Sequence, residues 1–340
     1  MNDFVRISVA SAILAMSGAA SAGLTTAGTW SGNVGLSVDG IGSNSSPVGS
    51  VQAVIPVTAT VLQAYLYSAG TPFPFYSNSP HTLAEYNGAG ITLAGTAITN
   101  FSTLVGATST RVDIGGWGTG RADVTSLVQS LRAAAPGVSN FSWVVDEGRL
   151  NNRIDGEVLA IVYSDASRPV GSVAFLNGGQ NTGGETSFVN LGSPLGDPSA
   201  VGFAAELGLG ISFSCCNQKS TIKVNGSTVT DNAGNSDDGL VVADGSLITV
   251  GGLGDTPANG QSYANDHELY NLAPFLTKGS TSFSIFTQNP TNDDNIFFAS
   301  LYLTGDIISV TPGIPEPETY ALMLAGLGVL GAVARRRRVR

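Results

Sequence analysis

From Gly23 to about Ser309 the chain is a succession of short apolar runs divided by Gly, Ser, Thr, Asn and Asp. That spacing constrains the fold more than any other feature. A run of four to eight residues bounded by turn formers suits a strand and is too short for a packed helix. In "ATVLQAYLYSAG" (59–70), Leu62, Ala64 and Leu66 alternate with Gln63, Tyr65 and Tyr67, the period of two that a strand requires. "EVLAIVY" (157–163), "SVAFLN" (172–177), "FAAELGLGISF" (203–213), "TIKVNGSTVT" (221–230), "TSFSIFT" (281–287) and "NIFFASLYL" (295–303) read as further strands. The best helix candidate, "VTSLVQSLRAAAPG" (124–137), sets Leu127, Val128 and Leu131 at i, i+1 and i+4 and stops at Pro136-Gly137. Long surface helices need a wet face rich in Glu, Lys and Arg, and this chain has 12% charged residues and 44 glycines. The expectation is an all-β protein built of antiparallel β-sandwiches.

Internal comparison divides that body in two. "ITLAGTAIT" (91–99) matches "IKVNGSTVT" (222–230), with Ile91, Leu93, Gly95, Ile98 and Thr99 on Ile222, Val224, Gly226, Val229 and Thr230. "DVTSLV" (123–128) falls on "NLAPFL" (271–276), and "DGEVLAIVY" (155–163) on "DNIFFASLY" (294–302). Three blocks in one order predict two tandem, duplicated units, over 24–168 and 169–309. Residues 310–318 read as a Pro-rich linker.

Both ends read as addresses. At the start, Arg6 precedes the apolar stretch Ile7–Met16, and Ala20 and Ala22 supply small residues at −3 and −1 of a cleavage site. That is the pattern of a secretory signal peptide over 1–22. At the other end, residues 319–340 hold an uncharged run, Tyr320–Ala334, followed by Arg335, Arg336, Arg337 and Arg338. Fifteen residues at about 1.5 Å each give roughly 22 Å, short of the ~30 Å hydrocarbon core. Arginine snorkelling at one end and Tyr320 at the other extend that reach. The expectation is a marginal transmembrane anchor with its arginines on the cytoplasmic side. Charge supports the division. Residues 24–314 carry nine basic against 22 acidic side chains, while five of the fifteen basic residues lie in 335–340. So acidic a body argues against nucleic acid as a partner.

Pro315-Glu316-Pro317, the apolar run and the terminal arginines together resemble the PEP-CTERM sorting signal of Gram-negative bacteria. The same motif is also known under an ice-binding C-terminal label, which implies nothing about the body. The resemblance implies export, recognition by an exosortase-type membrane enzyme, processing at the Pro-Glu-Pro end, and a setting where exopolysaccharide and biofilm matrix are made. It covers about 26 residues. In the body, "GEVLAIVYSD", "FSCCNQKSTIKVNG", "DNAGNSDDG" and "NPTNDDNIFFASLYLTG" resemble segments of uncharacterised secreted PEP-CTERM proteins, a likeness that implies no activity.

Candidate chemistry is sparse. The two cysteines, Cys215 and Cys216, are adjacent. They read either as a vicinal disulfide or buried thiol serving structure, or as a redox or soft-metal site. Asp231, Asn235, Asp237 and Asp238 in one stretch, and Asp293 and Asp294 in another, offer the hard oxygen ligands Ca²⁺ takes, though Asn, Asp and Gly also dominate ordinary turns. The EF-hand spacing is absent. Asp146-Glu147 stands as half of a glycosidase carboxylate pair or as a strand-end turn. Trp30, Trp117 and Trp143 offer stacking faces for sugar, with core packing the default. With two histidines and no nucleophile elbow, zinc motif or phosphate loop, the chain reads as a non-enzyme. The expected function is an exported structural or adhesive protein of biofilm or exopolysaccharide. The alternatives are a carbohydrate- or calcium-binding module and, less favoured, an exopolysaccharide hydrolase.

Overall fold

The computed structural model describes residues 24–42, 47–70, 82–105, 118–148, 154–178, 184–212, 219–234, 248–259, 268–290 and 295–313, with 326, 327 and 330 in the tail. These residues are mostly strand, in four antiparallel sheets. One sheet orders β2 (Val34–Ile41), β10 (Ile154–Ser164), β4 (Thr60–Gly70), β8 (Gly118–Asp123) and β7 (Phe101–Val105). Facing it is β3 (Val48–Val54), β9 (Asn140–Asp146), β5 (Thr92–Leu93) and β6 (Thr96–Ala97). The other half repeats the plan. Its first sheet orders β1 (Thr25–Gly32), β11 (Gly171–Asn177), β19 (Asn295–Leu303), β13 (Ala205–Ser212) and β16 (Ile248–Val250), with β17 (Leu269–Asn271) also on β13. Its second orders β15 (Ser227–Ala233), β14 (Ser220–Val224), β18 (Ser282–Gln288), β12 (Glu185–Leu191) and β20 (Ile307–Pro312).

Three cores show how the sheets stack. Val51, Ala53, Trp143 and Val145 pack on Ala64, Leu66, Leu159 and Ile161 within the first unit. Val189, Phe283 and Ile285 pack with Leu176, Leu209 and Leu301 within the second. A third core joins the two inner sheets: Val38, Tyr67, Val158, Ala160 and Val162 meet Val173, Phe175, Val250 and Phe298. The molecule is therefore two sandwiches face to face, four layers deep. Rings run through the central seam, with centroids 5.5 Å apart for Trp30–Phe175, 5.5 Å for Phe175–Phe298 and 5.0 Å for Tyr67–Phe298. Gly40 permits the approach, since a Cβ there would lie 2.4 Å from Val250 Cγ2.

The sequence repeat is visible as topology. The outer sheets β3-β9-β5-β6 and β12-β18-β14-β15 have the same order, and so do β2-β10-β4 and β11-β19-β13. The matched hairpins share one turn. Ala94 and Gly95 have φ of +51° and +76°, Asn225 and Gly226 +50° and +79°. Two positive φ values in a two-residue loop define the type I′ turn that matches strand twist. The Ala94 N–H donates to Val144 O at 2.8 Å and the Asn225 N–H to Ser284 O at 3.0 Å, so both hairpins hang on the equivalent strand. The remaining block becomes helix α2 (Thr125–Ala133) in the first unit, with Val128 buried, and a 3-10 turn (Ala273–Phe275) in the second.

Three expectations change. Residues 25–32 were assigned to the first unit, but β1 pairs with β11 and closes the second unit's inner sheet. The linker was placed at 310–318, but β20 continues to Pro312 against β12, because Val310 is buried in the second core. The strict alternation in 59–70 fails at Leu62. A register shift there turns Val61 inward and leaves Leu62 exposed, and Tyr67, on the face opposite Ala64 and Leu66, is buried against the other sandwich. Inner strands have no wet face, so their sequences run nearly continuously apolar.

Candidate functional site

Where β10 begins, the first unit's core takes in charge. The odd-numbered residues of β10 from Leu159 onward point into the core between β10 and β9, and period-two alternation sends Glu157 the same way. Glu157 is fully buried and lies opposite Ser68 of β4. The Ser68 hydroxyl donates to Glu157 Oε1 at 3.0 Å, while Oε2 has no hydrogen-bond partner. Burial, and then the charges of Glu147, Asp146 and Asp155, push the Glu157 pKa well above the usual carboxylate range. Asp155 is buried at a register shift between Ile154 and Gly156. Glu147 is buried just past β9, where its N–H donates to Pro47 O at 2.7 Å. Asp146 Oδ1 accepts the Gly148 N–H at 2.9 Å, and Gly148 at φ +72° abuts Ala89 O, just past helix α1 (Leu83–Gly88). A rigid strand end thereby turns Glu147 inward.

The second unit shows what this position holds without the acid. Ile296 of β19 lies opposite Ile211 of β13, where Glu157 lies opposite Ser68, and both isoleucines are buried in its core. One repeat fills the position with hydrocarbon and the other installs a hydroxyl and a carboxyl. A carboxyl kept neutral by burial can donate a hydrogen bond. With no exposed surface, it does not meet a solute from water. Among the described residues no group of three or more His, Cys, Asp or Glu side chains is arranged to hold a metal ion.

A second feature lies at the far edge of the molecule. β20 is the edge strand of the second unit's outer sheet, and its last residue is Pro312. The Gly313 N–H donates to Thr186 O at 2.6 Å, and the ring of Phe188 lies beside Gly313. The chain thus leaves the body at an edge of that sheet, next to an exposed phenylalanine.

The sequence candidates fare unevenly. Asp231 is exposed on β15; Asn235, Asp237, Asp238, Asp293 and Asp294 lie outside the described residues, as do Cys215 and Cys216. The 1–22 leader with Ala20 and Ala22, and the tail residues Pro315, Glu316, Pro317 and Arg335–Arg338, also lie outside them. Among the described residues no helix is long and apolar enough to cross a membrane. Trp143 stacks on Phe141 at 5.1 Å in the first core, and Trp30 lies in the seam, so these two rings serve packing; Trp117 lies outside the described residues. Asp146-Glu147 does acquire carboxyl neighbours, Asp155 and Glu157. Sequence reasoning passed over Glu157 and Ser68. The available signal was a glutamate heading an otherwise apolar run that aligns with isoleucine in the second repeat.

Residues 313–338 match the PEP-CTERM protein-sorting motif. The chain therefore carries a signal for export and for membrane-associated sorting by an exosortase-type enzyme. No curated protein matches the chain. Among solved structures it aligns at 9% identity and a TM-score of 0.19 with a β-porphyranase of glycoside hydrolase family 86 from the human gut bacterium Bacteroides plebeius, over 79% of this chain and 35% of that one. It aligns at 10% identity and a TM-score of 0.17 with a BuGH86 variant in complex with neoagarooctaose, over 81% and 34%. The chain spans about a third of the length of those proteins, and a likeness this slight carries no argument about activity.

Proposed function

We propose that this is a non-enzymatic structural protein, delivered to the cell surface or the surrounding exopolysaccharide by its sorting tail, with an adhesive role there. The observation that carries the reading is the junction between body and tail. The folded β body ends at Pro312, and the sorting motif begins at the next residue, so the whole described fold is the cargo of that signal. The build of the cargo supports a mechanical role. Two central sheets are enclosed on both faces, and the outer sheets present mainly uncharged Ser, Thr, Asn, Gln and Val. The acidic cluster of the first unit also favours this reading over hydrolysis, because Glu157 is sealed in the core.

The test is made in a host that has the processing enzyme. Intact-mass measurement of the mature protein should show loss of the tail near Pro317. Deleting the gene should weaken cohesion of the matrix without altering breakdown of its polysaccharide. Recovery of full-length protein ending at Arg340 with the enzyme active refutes processing. Unchanged cohesion in the deletion strain refutes the adhesive role.

A further inference from the structure

The junction just described has a geometric consequence for sorting. Pro315 lies two residues beyond Gly313 and Pro317 four, which puts the ends of the Pro-Glu-Pro triplet at most about 7 Å and at most about 14 Å from a backbone position hydrogen-bonded into the sheet. Tyr320, where the apolar run starts, lies seven residues beyond Gly313, at most about 25 Å. An enzyme that closes around an extended peptide needs several residues on each side of its reacting bond. On the N-terminal side of the Pro-Glu-Pro triplet only Ile314 separates it from Thr311, Pro312 and Gly313, which are already held against β12. The enzyme therefore meets the body as soon as it meets the motif.

The surface it would meet is distinctive. The outward side chains of β12 and β18 are Thr186, Phe188, Asn190, Ser282, Ser284, Phe286 and Gln288, and β20 exposes Ile308, Ser309, Thr311 and Pro312 beside them. None of them is charged, on a body whose net charge is −13 over residues 24–314. Phe188 is 42% exposed and stands directly beside the exit point. The nearest cation on this sheet is Lys223 of β14, over the Phe286 ring at 5.7 Å, and an exposed apolar ring among uncharged neighbours is the kind of anchor that contributes most at protein interfaces.

We propose that the corner formed by Phe188, Thr186 and Thr311 is a docking surface for the membrane-embedded sorting enzyme, so that processing reads the folded body together with the motif. The inference rests on the sorting reading above, and the occupant follows from where the chain leaves the fold. Contact here makes the body part of the substrate and favours cargo whose β20 is already in place.

The experiment follows tail loss by pulse-chase in a host that has the enzyme. It compares the native chain, Phe188→Ser, a chain with ten Gly/Ser residues inserted after Gly313, and the insertion combined with Phe188→Ser. Thermal midpoints of the purified bodies report on folding. Phe188→Ser should leave the midpoint within a few degrees and slow processing at least fivefold. In the inserted chain the same substitution should change nothing further, because the motif has moved away from the corner. Processing of Phe188→Ser at the native rate overturns the docking surface. So does an equal slowing by Phe188→Ser with and without the insertion. A native chain that never loses its tail refutes the sorting reading itself, and is thereby told apart from either result.

Discussion

Replacing Glu157 by Gln tests whether the first unit keeps a protonated carboxyl in its core. Glu157 is fully buried, with one oxygen on the Ser68 hydroxyl and the other without a hydrogen-bond partner. Burial first, and the Glu147 charge second, raise its pKa well above the ordinary value. In the unfolded chain a glutamate ionises near pH 4.3. The folded state therefore retains a proton that the unfolded state releases, and stability falls as pH rises above about 4.3. The slope is at most about 1.4 kcal/mol per pH unit and persists until the folded carboxyl ionises. Carried to pH 7, the loss is bounded at roughly 3–4 kcal/mol. Gln keeps the side-chain shape and the acceptor for Ser68 and does not titrate. Urea denaturation should find the two proteins of similar stability at pH 4.5. At pH 7 the Glu157→Gln protein should be the more stable, by up to roughly 4 kcal/mol. A variant destabilised equally at both pH values would refute the reasoning, because it would mean that Glu157 is ionised and paired in the fold.

Ala94 occupies a left-handed turn position that Asn225 fills in the second unit, so Ala94→Asn should raise stability by about 0.5–1 kcal/mol in urea melts. Asn225→Ala should cost at least as much, since it also removes side-chain bonds to the Ser284 N–H and the Phe275 carbonyl. Phe297 and Phe298 are adjacent in β19 and both fully buried, so alanine at either should cost about 3–5 kcal/mol; a small loss at one would mean that β19 has a wet face. The Asp39 pKa is raised to about 6, mainly by burial, although the Gln52 N–H donates to its carboxylate. Because the folded value is the higher one, stability should fall as pH climbs from about 4 to 6, and Asp39→Asn should remove that part of the dependence in midpoints measured across the range.

The strands were legible because each is a local event. "SVAFLN" and "NIFFASLYL" became β11 and β19 nearly to the residue, and the matched blocks 91–99 and 222–230 each form a hairpin around their glycine. α2 was legible from the three apolar positions Leu127, Val128 and Leu131 and a Pro-Gly stop. The site was less so. Asp146 and Glu147 were visible as a pair, but nothing local says that a serine 79 residues before Glu147, Ser68, and a glutamate across a loop will face the same space. Ladder register decides that, and one shift at Asp155 or Leu62 reverses which side chains are enclosed.

The sequence by itself determined an all-β chain, the repeated blocks around Gly95 and Gly226, and the sorting signal of Pro315-Glu316-Pro317, the apolar run and the terminal arginines, since each depends on neighbours within a few dozen residues. Tertiary structure alone decided that β1 closes the second unit and that the two sandwiches stack through their inner sheets. It also decided that Glu157 sits in the core and that the tail leaves beside Phe188. These depend on strands brought together from about ninety residues apart, for Ser68 and Glu157, to well over a hundred, and in the central seam apolar surface from one unit is removed from water only by the other. A period-two pattern records that a face is buried and carries no label for the partner that buries it.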